Sequence, residues 1–507
     1  MGKVQFGAYE EELHTISLSD SQWKYEGLAL PEPSILDENS LVKSVRLISG
    51  DTDSHVTIRL QRLDPNRATE GLKPSNLLLV SFSAFRPRYT VADESGERKP
   101  WTKKESIGYT ANLLRTGIEL QGVHYNFYGH SNSQLKSRTC LLLADSKVAI
   151  SKRIESFGDF SKMKTVAKKA KRIGLLFSSA QVATAVDPKY CEDIPDVEDD
   201  NYVFTDGCGL ISPRFAQQLS RHLRLSFRDK RYTPSVFQIR YRGYKGVVTL
   251  DPTMKDSRTL LKFRKSMKKF SGGKDISFSV VEYSKPYVFG HLNDEVVILL
   301  HSLGISVDTL LRKQAEHFEF LRDASKDPRA AFRFLCYLNK PDLAEKVLME
   351  SLETARPKIV ALVNSEKGKM LSKRDAQKCR ILVPNSRLLF GVCDAWDVLK
   401  EGECHVKITT DENGLPQTLK NAHVLVTRNP CLHPGDLQKF KLVYHPELSH
   451  LIDCIVFPVR GKRPSADMMS GGDLDGDTCE FYIFALNGRT TDHFDLSVFV
   501  CWDKDRK

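Results

Sequence analysis

The stretch MMSGGDLDGDTCEFYIF (residues 468–484) carries three aspartates at alternate positions, Asp473, Asp475 and Asp477. Carboxylates so close together repel one another unless a cation lies between them. Alternate side chains of an extended backbone point the same way, so all three carboxylates can converge on one point. Oxygen ligands without nitrogen or sulfur suit a hard cation rather than zinc. The spacing therefore predicts that the aspartate loop, as we call residues 468–477, binds Mg²⁺, with Mn²⁺ as the alternative ion.

Apolar segments flank these aspartates and predict two strands, one within 451–459 and one over 481–484. The aspartates are then expected in the loop that joins the two strands. Gly476 would let the chain bend tightly there, because glycine adopts backbone conformations that other residues avoid. Gly471 and Gly472 remove side chains at a place where another group must approach closely.

Two other aspartate motifs fail at positions that can be counted. A calcium-binding loop needs Gly at its sixth position and Glu at its twelfth, and counting from Asp473 these positions hold Thr478 and Phe484. An aspartate-nucleophile phosphatase needs D-x-D-G-T, whereas Asp477 follows Gly476 here. A polar turn whose aspartates are merely solvated stays open as the plain alternative.

The composition is that of a globular protein, with 41% apolar and 27% charged residues among 507. This length predicts roughly two to four domains. The most apolar run, at 296–300, ends at His301 and is much shorter than a membrane helix, and the first residues have no apolar signal core. The eleven cysteines include no CxxC pair, which predicts reduced thiols and a cytoplasmic or nuclear location.

A net charge of +11 favours a polyanionic partner. The basic residues concentrate in three clusters, within 162–172, 262–274 and 367–380. One such cluster is more often a solvated face, but three in one chain favour a surface that binds nucleic acid. A pair of divalent ions beside such a surface suits nucleotidyl transfer, because the ions activate a hydroxyl and neutralise a triphosphate leaving group.

The aspartate loop is the last of several sequence blocks that follow one another along the chain. The blocks are SNSQL (131–135), GDFSKMKTVAKKAKRIGLLFSS (158–179), FTDGCGLIS (204–212), QIRYRGYKGVVTLDP (238–252), HLNDEVVILLHSLGI (291–305), VTRNPCLHPGD (426–436) and LIDCIVFPVRGKRPSADMMSGGDLDGD (451–477). In content and order they resemble the cellular RNA-dependent RNA polymerases of eukaryotic RNA silencing. One block would be a weak signal, but seven in order are a strong one.

The resemblance implies an α+β, β-rich fold, with two double-psi β-barrels forming a polymerase core, a helical connector between them and a mixed β/α domain in front. The helical spacing of Val307, Leu310, Leu311 and Ala315 agrees with a helical connector. The boundaries we expect are an unassigned segment 1–40, a β/α domain 41–195 with a basic helix 161–174, a first barrel 200–290, a helical connector 291–378, a second barrel 379–485 with the aspartate loop, and a divergent tail 486–507.

The resemblance also implies roles for individual residues. The catalytic magnesium would be held by Asp473, Asp475 and Asp477, nucleotide or RNA would be bound by Arg428, Lys245, Lys269, Gly471 and Gly472, and the RNA path would be lined by Lys164, Lys168 and Lys171.

Among these, Arg428 lies in an R-x-P-x-L-H context and would contact the sugar of the incoming nucleotide, because a guanidinium donates a fixed fork of hydrogen bonds. Lys245, in GYKG, and Lys269, in RKSMKKF, would contact phosphates, with Lys268 as the competitor of Lys269. Asp206, which precedes a glycine, is expected to lie in a turn and is not counted as a metal ligand.

The expected function is that of a nucleotidyltransferase, an RNA-directed RNA polymerase. It would copy a single-stranded RNA template with nucleoside triphosphates and Mg²⁺ into double-stranded RNA for RNA silencing. Protein partners from the silencing pathway are an expectation of the resemblance alone. Family members continue beyond the aspartates, whereas this sequence stops at Lys507, so we expect a truncation shortly after DLDGD. The alternative interpretation is a catalytically inactive, truncated remnant that only binds RNA.

Overall fold

The computed structural model describes residues 14–18, 41–49, 54–84, 102–120, 122–228, 230–349, 351–371, 379–383, 386–410, 414–476 and 478–484. The chain divides into two compact units. The first comprises Met1–Ala185, Arg240–Gly243 and Lys269–Val281, and the second comprises Val186–Ile239, Tyr244–Lys268 and Glu282–Lys507. Asp477, most of the segment 1–40 and the tail 486–507 lie outside the described residues. The domain boundaries expected from the sequence stay predictions.

The first unit is built around a mixed β-sheet. Neighbouring strands of this sheet run antiparallel, except that Leu41–Ser49 and Leu77–Ala84 are parallel. In order across the sheet the described strands are His14–Leu18, Ser54–Arg62, Leu41–Ser49, Leu77–Ala84, Thr139–Leu143, Val123–Gly129 and Ile118–Leu120. Two further antiparallel pairs of this unit join Gly158–Asp159 to Ser271–Gly272 and Gln181–Ala185 to Ser277–Tyr283.

Both faces of this sheet are buried. Leu78 lies in one hydrophobic cluster with Leu113, and the next residue, Leu79, lies in another cluster with Phe157. Successive side chains of a strand point to opposite faces, so a strand covered on both sides needs an unbroken apolar run. The α-helices described in this unit are Lys103–Thr116, Asn132–Lys136, Lys147–Phe157 and Val166–Ile173.

The basic helix of the first unit is shorter than the predicted range 161–174. It begins at Val166, where the Thr165 hydroxyl accepts a hydrogen bond from the Lys168 backbone N–H at 3.2 Å, and it ends at Ile173. Val166, its first residue, is 87% exposed. A capping hydroxyl determines where such a helix begins, and the spacing of apolar residues alone does not reveal that position.

The second unit contains two larger β-sheets. The first of them mixes parallel and antiparallel neighbours, and it carries Lys245. Its strands in this unit, in order across the sheet, are Cys191–Ile194, Leu261–Arg264, Cys208–Ile211, Tyr244–Leu250 and Val236–Tyr241, the last of which continues into the first unit. The helix Pro213–His222 and the short pair Ser226–Phe227 and Lys230–Arg231 follow the strand Cys208–Ile211 along the chain.

The second sheet of this unit closes on itself. Its described strands follow the order Pro416–Leu419, Glu403–Thr409, Gln438–Leu442, His423–Thr427, Thr478–Phe484, Ser386–Cys393 and Cys454–Phe457. The strand Cys454–Phe457 also pairs with Glu403–Thr409, so the strands between them in this order form a barrel. The aspartate loop lies between the strands Cys454–Phe457 and Thr478–Phe484, as the flanking apolar segments predict.

Both sheets contribute to one hydrophobic core. Cys208 and Val247 of the first sheet cluster with Val392 and Val456 of the second, and none of the four has exposed surface. Leu474 of the aspartate loop belongs to the same core and is 4% exposed. Since burial of apolar surface contributes about 25 cal/mol per Å², this shared core holds the two sheets and the loop together.

A helical connector lies between the two sheets in the sequence. Asp327 caps one of its helices, because its carboxylate accepts hydrogen bonds from the N–H groups of Arg329 and Ala330, both at 2.9 Å. The described helices of the connector are Asp294–Ser302, Val307–Asp323, Pro328–Tyr337, Pro341–Met349 and Leu352–Leu371, and the strands His291–Leu292 and Ile381–Leu382 pair across it.

The elements together confirm the predicted α+β, β-rich class. Short 3₁₀ helices lie at Pro74–Asn76, Gly174–Phe177, Pro188–Tyr190, Pro252–Met254, Lys265–Met267, Pro434–Asp436 and Pro446–Leu448. In the part of the chain that the structure describes, no helix has both the length and the apolar content needed to cross a bilayer.

Candidate active site

Two aspartates of the aspartate loop, Asp473 and Asp475, lie beside each other. The Asp475 backbone N–H donates a hydrogen bond to Oδ1 of Asp473 at 3.2 Å. Asp475 is 6% exposed, and Asp473 is half-buried. Leu474 between them is held in the core, so the loop is anchored at its centre while the carboxylates flank the anchor. Asp477 lies outside the described residues, and its convergence with the other two stays a prediction.

Lys245, in the strand Tyr244–Leu250, faces the aspartate loop. Its Nζ forms an ion pair with Oδ1 of Asp475. The lysine side chain is 24% exposed, and the aspartate side chain is 8% exposed. A carboxylate this buried needs a cation or several hydrogen-bond donors, because loss of water disfavours its charge. The loop therefore presents a position that accepts a positive charge.

A turn of the first sheet packs against the aspartate loop. Residues 204–207 form this turn, as expected for Asp206, and the Asp206 carbonyl accepts a hydrogen bond from the Leu474 N–H at 2.9 Å. Gly207 has a φ of +84°, and a Cβ on it would lie 2.4 Å from the Cβ of Asp475. Both the backbone conformation and the close approach require glycine at this position.

Gln238 approaches the end of the aspartate loop from the same sheet. Gly476 has a φ of +126°, and a Cβ on it would lie 1.7 Å from Nε2 of Gln238. The bend predicted at Gly476 is therefore accompanied by a close contact with another strand. The sequence indicated the bend, but it carried no signal for the partner.

Arg428 crosses the beginning of the aspartate loop. Its Nη1 donates a hydrogen bond to the Ser470 carbonyl at 3.5 Å. A Cβ on Gly472 would lie 2.6 Å from Cδ of Arg428 and 2.9 Å from the Ala466 carbonyl oxygen, so this glycine permits a close approach by Arg428. Gly471 has a φ of +62°, and no described atom comes within 4 Å of its Cβ position, so its backbone conformation is what favours glycine.

Asp436 connects the Arg428 segment to the aspartate loop. One of its carboxylate oxygens accepts the N–H groups of Leu432 and His433 at 3.0 and 2.9 Å, and the other accepts the Ser470 N–H at 3.1 Å. Burial alone would raise the pKa of Asp436, but these hydrogen bonds outweigh it and lower the pKa. The carboxylate is thus charged, and it holds the two segments together.

The other predicted site residues are spread over the first unit. Lys269 lies there, and its backbone N–H donates to the Gly243 carbonyl at 2.8 Å. Its competitor, Lys268, belongs to the second unit and lies 5.4 Å from the centre of the Tyr244 ring. The lysines predicted to line an RNA path are exposed on the basic helix or just before it: Lys164, Lys168 and Lys171. The nucleotide- and RNA-binding roles of all these residues stay predictions.

The carboxylate oxygens of the aspartate loop fit a hard divalent cation. Among the described residues no three His, Cys, Asp or Glu side chains are grouped so as to hold a metal ion, and the third predicted ligand, Asp477, is not one of these residues. The donors that are described have the appropriate chemistry, because Asp473 and Asp475 are adjacent carboxylates and the buried one already contacts an ammonium group. Carboxylate oxygens of this kind are the ligands that Mg²⁺ and Mn²⁺ prefer.

Comparison with known proteins identifies the family of the chain. Residues 65–483 match the family described as RNA dependent RNA polymerase. The chain belongs to this family. The rice protein named Probable RNA-dependent RNA polymerase 1 (Oryza sativa subsp. japonica) is 35% identical to this family member over 425 residues, which cover 80% of this chain and 56% of the rice protein.

Other members of the RNA dependent RNA polymerase family show the same partial coverage. RNA-dependent RNA polymerase 1 of Arabidopsis thaliana is 33% identical over 404 residues, covering 78% of this chain and 34% of that protein. RNA-dependent RNA polymerase 1 of Schizosaccharomyces pombe is 28% identical over 492 residues, covering 89% of this chain and 39% of that protein. The chain thus spans only part of the length of these relatives.

A solved structure shares the fold of this family member. The RNA dependent RNA polymerase QDE-1 from Thielavia terrestris superposes with a TM-score of 0.66 at 20% sequence identity, covering 90% of this chain and 56% of that one. At this identity the likeness concerns the fold. It confirms the fold class expected from the resemblance, a polymerase core of double-psi type.

Proposed function

We propose that this chain carries the core of an RNA-directed RNA polymerase, a nucleotidyltransferase that copies single-stranded RNA into double-stranded RNA from nucleoside triphosphates. The observation that carries the proposal is the buried carboxylate of Asp475, which lies beside Asp473 and faces Lys245 in a loop that Arg428 crosses. Membership of the family and the names of the relatives support it.

The aspartate loop would hold Mg²⁺, or Mn²⁺, through Asp473, Asp475 and Asp477. Bound there, the metal would lower the pKa of the attacking hydroxyl and neutralise charge on the leaving pyrophosphate. The contribution of the chain itself is geometric. Leu474 in the core and the hydrogen bond from its N–H to the Asp206 carbonyl fix the backbone, so the carboxylates are oriented before substrates bind.

The cationic residues would bind the substrates. Lys245 carries a compact charge on a flexible stem, so it would exchange its carboxylate partner for a phosphate of the incoming nucleotide, and Lys269 would contact phosphate as well. Arg428 would donate to the sugar. Gly471 would leave room for nucleotide or RNA at the start of the loop, and Gly472 would serve nucleotide binding by letting Arg428 lie close to the loop. Lysines on an RNA path bind phosphate without reading sequence, the role proposed for Lys164, Lys168 and Lys171.

We place this activity in the cytoplasm or nucleus, in RNA silencing, where protein partners of that pathway would use the double-stranded product. Free thiols persist in the reducing compartments of a cell. Within the part of the chain that the structure describes, free thiols are found at Cys140, Cys208, Cys379, Cys393, Cys404 and Cys454.

The test is incorporation of labelled nucleotides on unprimed single-stranded RNA in the presence of Mg²⁺. Asp475→Asn keeps the size of the side chain but removes its charge, and we expect it to lower the rate by at least about 100-fold. Asp467→Asn is the matched control, because Asp467 lies just before the aspartate loop and pairs with Arg463 at 2.5 Å. Loss of such a partly exposed ion pair should change the rate by no more than about twofold.

Two results would contradict the proposal. If Asp475→Asn copies RNA as fast as the wild type, the aspartates are not the metal ligands. If the wild-type chain binds RNA but incorporates nothing with Mg²⁺ or Mn²⁺, the alternative of an RNA-binding protein without catalysis is correct.

A further inference from the structure

Asp196 is the centre of a hydrogen-bond network in the second unit. One of its carboxylate oxygens accepts the Ser266 hydroxyl at 2.7 Å and the Thr205 hydroxyl at 3.0 Å. The other oxygen accepts the Ser266 backbone N–H at 2.9 Å. A neutral amide at this position has only one acceptor oxygen, so it could not satisfy all three donors.

Ser266 connects this network to the turn at residues 204–207. While its hydroxyl donates to Asp196, the hydroxyl oxygen accepts the Gly207 N–H at 3.1 Å. Thr205, at the other side of the same turn, has no exposed surface. The turn is therefore held at two points, at Thr205 directly by Asp196 and at Gly207 through Ser266.

The same turn holds the aspartate loop in position. The Asp206 carbonyl accepts the Leu474 N–H at 2.9 Å, and Gly207 lies against Asp475 without room for a Cβ. Gly246, on the strand that carries Lys245, packs against the Gly207 carbonyl oxygen, where a Cβ would lie 2.2 Å away. A shift of the turn would therefore move the backbone of the loop.

We propose that Asp196 and Ser266 are positioning residues that orient the aspartate loop through the turn at 204–207. Through these bonds both residues contact the turn, and the turn contacts the aspartate loop. The proposal rests on the proposed function for the catalytic value of that orientation. The mechanical coupling itself is a property of the fold and is measured separately.

Amide hydrogen exchange of the full chain measures the coupling without metal, RNA or nucleotide. Ser266→Ala removes the acceptor of the Gly207 N–H, and we expect exchange at both Gly207 and Leu474 to accelerate by roughly 5- to 20-fold. Ser266→Thr keeps the hydroxyl and should restore the wild-type rates. Asp196→Asn should accelerate both amides as well, and the double variant should exceed neither single variant by more than about twofold, because the two residues act as one unit.

Ser257→Ala is the matched control. Ser257 is half-buried like Ser266, and its hydroxyl likewise accepts one backbone N–H, that of Thr259 at 3.0 Å. It should leave exchange at Gly207 and Leu474 unchanged. Exchange in the strand Glu403–Thr409 should stay constant in every variant, which separates a local change from global unfolding.

Mn²⁺ binding, followed by electron paramagnetic resonance, measures the consequence for the loop. Ser266→Ala should weaken Mn²⁺ binding by roughly 10-fold, because loss of a group that orients metal ligands lowers the affinity of the site, and Ser266→Thr should restore the affinity. The inference is overturned if Ser266→Ala accelerates exchange at Gly207 alone, or if it leaves Mn²⁺ affinity unchanged. A wild-type chain that binds no Mn²⁺ would instead overturn the proposed function, and the exchange rates would still decide the coupling.

Discussion

Gly207 lies against the backbone of Asp475 so closely that a methyl group does not fit between them. We expect Gly207→Ala to lower the free energy of unfolding by about 2–4 kcal/mol, because the methyl group would meet Asp475 and alanine disfavours a φ of +84°. Nucleotide incorporation should be lost as well, since the aspartate loop must move. Urea unfolding and the incorporation assay measure the two effects.

Gly402→Ala separates the contact from the backbone conformation. Gly402 has a φ of +80°, and within the described residues nothing lies within 4 Å of its Cβ position. This variant should lower the free energy of unfolding by about 1–2 kcal/mol and leave nucleotide incorporation nearly unchanged. Equal losses of stability and activity in both variants would mean that contact with the aspartate loop is not what requires Gly207.

At the scale of elements, the strand Cys454–Phe457, which precedes the aspartate loop, begins at a buried acid. Asp453 is 2% exposed, and its carboxylate accepts the Thr409 N–H at 2.8 Å and the Thr409 hydroxyl at 2.7 Å. Burial raises the pKa of Asp453 above its ordinary value of 3.8, against the opposing effect of these hydrogen bonds. The folded state therefore keeps this proton to a higher pH than the unfolded state does.

Stability should consequently depend on pH through Asp453. The protonated acid contributes fully to the free energy of unfolding below the ordinary pKa. This contribution is lost as the pH rises through the folded-state pKa. Asp453→Asn stays neutral, so its stability relative to the wild type should increase as the pH rises above about 4. Urea unfolding at several pH values measures this difference.

Asp397→Asn is the control for that substitution, because Asp397 has the same φ of +57° as Asp453 but is exposed. It shows what the replacement of a carboxylate by an amide does in this backbone conformation without burial, together with the small effect of losing an exposed ion pair to Arg460. A relative stability of Asp453→Asn that stays flat or falls as the pH rises would contradict the role assigned to the buried acid.

The helix Val307–Asp323 shows how far apolar spacing identifies an element and its buried face. The helix itself is confirmed. The apolar spacing does not identify the buried face, because Val307 is 52% and Leu311 is 55% exposed, whereas Leu310, Lys313 and His317 are buried. The His317 ring accepts the Leu382 N–H at 3.3 Å, and burial lowers its pKa to about 4. Because the buried face also contains polar residues, apolar spacing reveals the helix but not the face that is buried.

At the scale of the whole molecule, the net charge of +11 and the exposed lysines of the basic helix predict electrostatic binding of RNA. The affinity for single-stranded RNA should fall steeply with salt, because bound lysines release counterions. Replacing Lys164, Lys168 and Lys171 by Gln should reduce the slope of log affinity against log salt by roughly 2. Filter binding at several salt concentrations measures this slope.

Replacing Lys73, Lys103 and Lys104 by Gln removes the same charge from exposed positions of the same unit. This control should change the slope by clearly less, and Asp475→Asn should not weaken RNA binding at all. If both triple variants reduce the slope equally, the overall charge of the chain, and not a path along the basic helix, binds the RNA.

The sequence by itself determined which side chains the aspartate loop carries, its place between two strands and the family of the chain. These depend on local features, the alternation of carboxylates and the apolar runs on either side, which a short stretch displays completely. The sequence does not single out Asp196, because this residue lies in the acidic stretch EDIPDVEDD (192–200), which looks like an exposed boundary.

Only the tertiary structure decided what surrounds the loop. Lys245 contacts Asp475 although 230 residues separate them in the sequence. Gly207 and Gln238 approach the aspartate loop from the same distant sheet. Ser266 joins Asp196 to the turn at 204–207 in the same way. Such contacts form because a shared hydrophobic core brings separate strands together, and no property of either residue alone shows which partner it will meet.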